Sequence, residues 1–191
     1  MKILIHVDGL RPMLQHNGRL ANPLDPYTQR LKQLTAKKKK TDEDLMAILI
    51  AEARGAVYET SDGLLGFPTQ NAWRAIYDAA TAFRRGADIK RALSFEDSTE
   101  PLLFDGSHIS VDKFLTDPAN IDYRPVAVNR AKTMRARPKV QLPWAATFAF
   151  DLLDDVIDPR DLAPILERAG RLVGLGDWRP IYGTFSVEVE M

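Results

Sequence analysis

Apolar and polar residues alternate with period two at both ends of the chain. Residues 2–7 set Ile3, Ile5 and Val7 against Leu4 and His6, the pattern of a strand with one buried face. Residues 145–152 repeat it, with Ala146, Phe148 and Phe150 in line with Trp144, and Phe185, Val187 and Val189 alternate with Thr184, Ser186 and Glu188. Helical spacing governs other stretches. Leu45, Ile48, Leu49 and Ala53 form a stripe that starts behind the Thr41 hydroxyl and the acids at 42–44 and stops at Gly55. Thr69 is predicted to cap a helix over 70–84, with Ala72, Trp73, Ile76, Ala80 and Phe83 available to the core. Asp158 and Pro159 open the last helix as N-cap and first residue. Leu162, Ile165, Leu166 and Ala169 face inward there, and Gly170 is read as its end.

Turn chemistry divides the remainder. Asn17-Gly18, Asn22-Pro23 and Asp25-Pro26 mark a loop over 10–26, and Asp25 caps a helix predicted over 27–37. The four lysines at 37–40 read as a solvated helix end. Segments 57–60 and 64–67 flank Ser61-Asp62-Gly63, a compact hairpin signal. Residues 86–122 read as an insertion in which 92–95 and 102–104 pair as short strands, and 125–131 forms the next strand before 145–152. The order strand, helix, strand, strand, helix, strand predicts an α+β fold over 1–191. The expected architecture is a ferredoxin-like antiparallel sheet with its helices on one face. Insertions are placed at about 10–56 and 86–122, and a hairpin at about 124–143. A doubly wound parallel sheet would need strands and helices in regular alternation, which this chain lacks.

The chain's 26 basic and 26 acidic residues cancel, so no overall field attracts a polyanion, and local distribution carries the argument. From Tyr123 to Phe150 there is no acidic residue, while Arg124, Arg130, Lys132, Arg135, Arg137 and Lys139 are cationic. Arg135, Arg137 and Lys139 are two apart, so on an extended arm they project to one side about 6–7 Å from each other, roughly the phosphate spacing of an extended single strand. Pro138 and Pro143 favour a protruding hairpin over a central strand. The rings available for stacking are His6, Tyr123, Phe148, Trp178 and Tyr182. Phe148 shares its stripe with Trp144 and Phe150 and reads as core, and Trp178 beside Arg179 is the ring best placed for a surface role.

Catalytic patterns are sparse. The chain has no cysteine, hence no disulfide or thiolate metal site, and His6, His16 and His108 lack metal-ligand spacing. There is no GKS/T, GxGxxG or GxSxG, and no metal or cofactor is expected. The start MKILIHVDGL has no signal-peptide run, and no stretch reaches the ~20 apolar residues that cross a bilayer, so a cytoplasmic protein without membrane partners is expected.

Residues 170–189, GRLVGLGDWRPIYGTFSVEV, join a helix to a strand through Gly174, Gly176 and Gly183, with Trp178, Arg179 and Tyr182 among them. This stretch resembles the glycine-rich loop of the RAMP superfamily, the CRISPR-associated RNA-binding proteins of ferredoxin-like, RRM-type fold. A second fragment, DGLLGFPTQNAWRAI at 62–76, is similar to the strand–helix junction of their backbone subunits through Pro68, Thr69 and Arg74, although the glycine usual at that helix start is absent. The resemblance implies a thumb-like hairpin across a bound strand. It also implies a non-enzymatic protein that binds single-stranded RNA or DNA, RNA favoured, and self-associates along its ligand, with CRISPR-type effector proteins as further partners. Two alternatives stand beside it. One is a metal-independent endoribonuclease using His16, with Arg19 nearby, as its general base. The other is a phage or mobile-element interaction protein that mimics a CRISPR subunit. A loop aspartate, as some backbone subunits use, has Asp25 as its only candidate, and helix capping already explains that residue.

Overall fold

The computed structural model describes residues 1–128 and 131–190. Its strands are β1 (Lys2–Gly9), β2 (Met13–Leu14), β3 (Gly66–Pro68), β4 (Leu93–Ser94), β5 (Thr99–Pro101), β6 (Leu103–Phe104), β7 (Ile121–Val128), β8 (Ala131–Val140), β9 (Trp144–Leu152) and β10 (Phe185–Glu190). Its α-helices, six among the described residues, are α1 (Pro26–Thr35), α2 (Asp42–Ala56), α3 (Thr69–Thr81), α4 (Gly86–Ala92), α5 (Val111–Phe114) and α6 (Pro159–Arg168). The fold is α+β with antiparallel sheets.

The main sheet runs β10-β1-β9-β4, with β6 also pairing β9, and every pairing is antiparallel. The period-two pattern aims Ile3, Ile5, Val7, Phe148, Phe150 and Phe185 inward. There they meet Ala72 and Ile76 of α3 and Leu166 of α6, so both helices cover one face of the sheet. Burying side chains of this size stabilises by about 1.5–3 kcal/mol each, which makes this layer the energetic centre of the molecule. A second sheet, β2-β8-β7, carries α2 against β8, and a short pair β3-β5 lies beside α3.

Several boundaries differ from the expectation, each for a tertiary reason. Leu93–Ser94, inside the segment read as an insertion, is an edge strand of the main sheet and pairs β9. Segments 92–95 and 102–104 therefore do not pair with each other; β6 also joins β9. The strand predicted over 125–131 is not part of that sheet: β7 pairs only β8, from Ile121↔Pro138 to Val128↔Ala131. Pro138 consequently sits in a middle strand, which it can do because its carbonyl, not an N–H, meets the neighbouring chain, accepting from Gln15 N at 3.0 Å.

Thr69 does not cap α3. Pro68 holds that position without a side-chain bond, and the buried Thr69 hydroxyl pairs with Ser98 Oγ at 2.8 Å. Phe83 lies exposed beyond the helix, whereas Ala72, Ile76 and Ala80 are buried. Thr41 and Asp44 form a reciprocal capping box on α2, and Asp25 and Asp158 cap α1 and α6 as expected. Gly55 is buried within α2, one residue before its end. Gly170 does not end the last helix either, because one turn of π-helix, Ala169–Val173, continues it. A Cβ on Gly170 would lie 2.2 Å from Phe185 O, so this glycine lets β10 approach the helix. The lysines at 37–40 lie in the α1–α2 connection, where Lys37 Nζ reaches Asp44 at 2.5 Å.

Candidate functional site

The glycine loop is a clamped structure. Gly174, Gly176 and Gly183 all have positive φ, at 78°, 81° and 70°. Leu175 N–H donates to Gly183 O at 2.8 Å and closes the loop; Gly183 N–H donates to Pro12 O at 2.9 Å and Asp177 N–H to Leu14 O at 2.8 Å, pinning it to β2. A Cβ on Gly176 would stand 2.2 Å from Leu14 O, and one on Gly183 1.8 Å from Leu175 O, so both positions need glycine for space as well as conformation. Inside this clamp Trp178 takes φ 56°, a left-handed conformation uncommon outside glycine, and its ring is partly exposed.

Trp178 faces the β7–β8 hairpin. The Arg124 guanidinium lies 4.7 Å from the Trp178 ring centre and 5.5 Å from that of Tyr182, and the two rings are 5.9 Å apart at 30°. Arg124 also donates to Tyr182 Oη at 2.8 Å and pairs with Asp122. The Asp122 carboxylate raises the Arg124 pKa above its ordinary value, with the Tyr182 hydroxyl adding to it against desolvation. Arg137 lies near the same ring, 5.7 Å from the Trp178 ring centre. It is buried, with Asp177 at 2.8 Å and Asp122 at 3.7 Å. Neither contact of Arg137 is an aligned hydrogen bond, so charge rather than directional bonding holds it there.

The expected row of cations along β8 is therefore not an exposed one. Arg135 binds Glu52 of α2 at 2.7 Å, Arg137 is buried, and Lys139 is half-buried. The reason is that α2 and the glycine loop cover β8 and bring carboxylates to it. Lys132 is exposed, and Arg130 lies outside the described residues.

Arg179, next to Trp178, turns to α3. Its Nη2 lies 3.4 Å from Asp78, whose other oxygen pairs with Arg74 at 2.8 Å. Between them opens a cleft of about 180 Å³ lined by His16, Tyr58, Asn71, Arg74, Asp177 and Arg179. It joins the two fragments that carry the family resemblance to the histidine considered for catalysis. Arg19 is not among the residues that line this cleft with His16: it donates to Val57 O at 3.1 Å and lies over Tyr27. The segment around His16 is also tied down rather than free to close. Gln15 is fully buried and bonds Gly66 O and Tyr58 N, and Asn17 bonds Ala56 O and Val57 O.

The outer face of the main sheet is different in kind. It presents Lys2, Leu4, His6 and Asp8 from β1, Ala145, Thr147, Ala149 and Asp151 from β9, and Ser186, Glu188 and Glu190 from β10. His6 is its one ring, bonded to Thr147 at 2.9 Å and Glu190 at 3.3 Å. Phe148 is core, as expected, and Tyr123 is exposed on β7.

Sequence reasoning did not single out Tyr58, Asn71, Asp122 or Asp177. Asn71 lies three residues before Arg74 on one helix face, a spacing that offers a signal. The carboxylates offer none, because their partners are remote in the chain. Set against known protein families and against curated proteins, the chain matches none.

Proposed function

We propose that this chain is a non-enzymatic single-stranded nucleic-acid-binding protein, RNA favoured, with a RAMP-type ferredoxin-like fold. The observation that carries the reading is the Arg124–Trp178–Tyr182 group, where the hairpin and the glycine loop combine rings and planar cations on one accessible surface. Sheet order supports the fold. With α3 between β1 and β4, and α6 between β9 and β10, the order β10-β1-β9-β4 is that of two interleaved βαβ units. The β7–β8 hairpin leaves this frame between β4 and β9, where a thumb would, and the glycine loop enters β10.

On this reading a base stacks on the Trp178–Tyr182 surface, contributing about 1–3 kcal/mol. Arg124, the half-exposed guanidinium of the group, meets a phosphate and makes the slope of log K against log salt more negative by about 0.7. The acidic outer face of the sheet takes no part. The test is a salt series of binding curves for single-stranded RNA, single-stranded DNA and duplex. Preference for single strands with a salt slope is expected; equal binding of duplex, or no binding of any strand, overturns the proposal.

One observation favours a second reading, a metal-independent ribonuclease: His16 shares its cleft with Arg74 and Arg179. It ranks second because the other proton-bearing group there, the Tyr58 hydroxyl, already donates to His16 O at 3.1 Å. Labelled RNA incubated in EDTA separates the two: cleavage by the wild type that His16→Ala abolishes selects the nuclease, and intact RNA selects the binder.

A further inference from the structure

We infer that the cleft between α3 and the glycine loop seats one phosphate group of the bound strand, with Arg74 and Arg179 as its principal donors. This rests on the single-strand reading above and names a second, separate contact for the ligand.

The donor count points to an anion. Each guanidinium carries five N–H donors and no acceptor. Arg74 commits Nε to Asp78 at 2.8 Å. Arg179 commits Nη2 to Asp78 and Nη1 to Gly174 O, both at a long 3.4 Å. Most of their donors are therefore without a protein partner. Charge agrees, since Asp78 is shared between two guanidiniums and Asp177, the other acid on the cleft, lies 2.8 Å from Arg137. A net positive charge remains where the two forks converge. Asn71 adds an amide and His16 a ring to the same lining.

Geometry favours phosphate over a carboxylate. The two guanidiniums come from different elements, α3 and the loop, and Asp78 already spans them as a carboxylate can. A tetrahedral anion has oxygens left to meet donors outside that plane. The cleft, about 180 Å³ and open to solvent, has room for a phosphate group. Arg179 also follows Trp178 directly, so one loop offers a stacking ring and a phosphate donor to adjacent parts of a strand.

The test has two readouts. Inorganic phosphate, titrated at constant ionic strength against chloride, should shift the Nε–H resonances of Arg74 and Arg179 but not that of Arg135, and Arg179→Gln should abolish the response at Arg74. In binding curves with single-stranded RNA, Arg74→Gln and Arg179→Gln should each weaken affinity several-fold and reduce the salt slope by about 0.7. Trp178→Ala should weaken RNA binding while leaving the phosphate shifts in place. RNAs ending in a hydroxyl, a 5′-phosphate or a 3′-phosphate identify the source: a preference for one phosphorylated end means a terminal phosphate, and equal affinity means an internal phosphodiester. Wild-type RNA affinity in both arginine variants, or phosphate shifts absent from both arginines, overturns the cleft and leaves the single-strand reading intact. Failure of the wild type to bind any single strand overturns that reading, and this inference with it, even if phosphate shifts persist.

Discussion

The outer face of the main sheet and the junction between glycine loop and hairpin are both polar and partly exposed, yet they are built to opposite ends. On the sheet, Asp8, Asp151, Glu188 and Glu190 outnumber Lys2 and stand with Leu4 and small residues, with His6 the one ring among the described residues. At the junction, Arg124 and Arg137 lie 4.7 and 5.7 Å from the Trp178 ring centre, Tyr182 closes the group, and Asp122 and Asp177 hold the guanidiniums in place. The regular surface, which an RRM-type protein uses for stacking, is here the poorer place for a nucleic acid. The irregular one concentrates rings and planar cations. On the proposed reading, the local density of stacking and donor groups, and not position in the fold, assigns the binding face.

The largest expected effect tests whether the junction is an integrated unit. Arg137→Ala removes one member of a buried charge group, takes from Asp177 its 2.8 Å partner and leaves the buried Asp122 with Arg124 alone, which should cost roughly 3–5 kcal/mol in urea unfolding. A variant as stable as the wild type would show that the junction's charges are solvated and that its order has another origin.

Gly183→Ala comes next, at about 2–3 kcal/mol, because the added Cβ meets Leu175 O and the backbone stays left-handed. Thermal unfolding reads it. An unchanged midpoint would mean that the loop relaxes freely and cannot hold Trp178 in place.

Trp178→Ala should reduce affinity for single-stranded RNA by about 1–3 kcal/mol, about a fivefold to 150-fold loss. Stability should change by only about 1 kcal/mol, since a partly exposed cation–π contact is worth that much. Large destabilisation without loss of affinity would move the ring from ligand binding to packing.

The smallest effect belongs to the sheet. His6→Ala and Glu188→Gln should each stay within about 0.5 kcal/mol in stability, as exposed substitutions do, and leave RNA affinity unchanged. A clear loss of binding in His6→Ala would reverse the comparison and make the sheet the platform.

What the sequence determined by itself is what short-range sterics control. The alternation in residues 2–7, 145–152 and 185–189 fixed which side chains of β1, β9 and β10 turn inward, because strand side chains change face at every residue. Asp25, Thr41 and Asp158 marked helix starts because capping is completed within three residues. Gly174, Gly176 and Gly183 marked the loop because only glycine enters its backbone conformation without strain.

Tertiary structure decided the rest, and it decided the site. Residues 92–95 read as a short strand, but only the fold decides that Leu93–Ser94 pairs β9 and not 102–104. The hairpin was visible as two extended runs, but nothing local tells such runs which sheet to join. Above all, the six cations at 124–139 looked alike in sequence. Arg135 is matched by Glu52, 83 positions away, and Arg137 by Asp177, while Arg124 is shared between Asp122 and Tyr182. Charge acts through space and not along the chain, so a cation is free or spent according to what folding brings beside it.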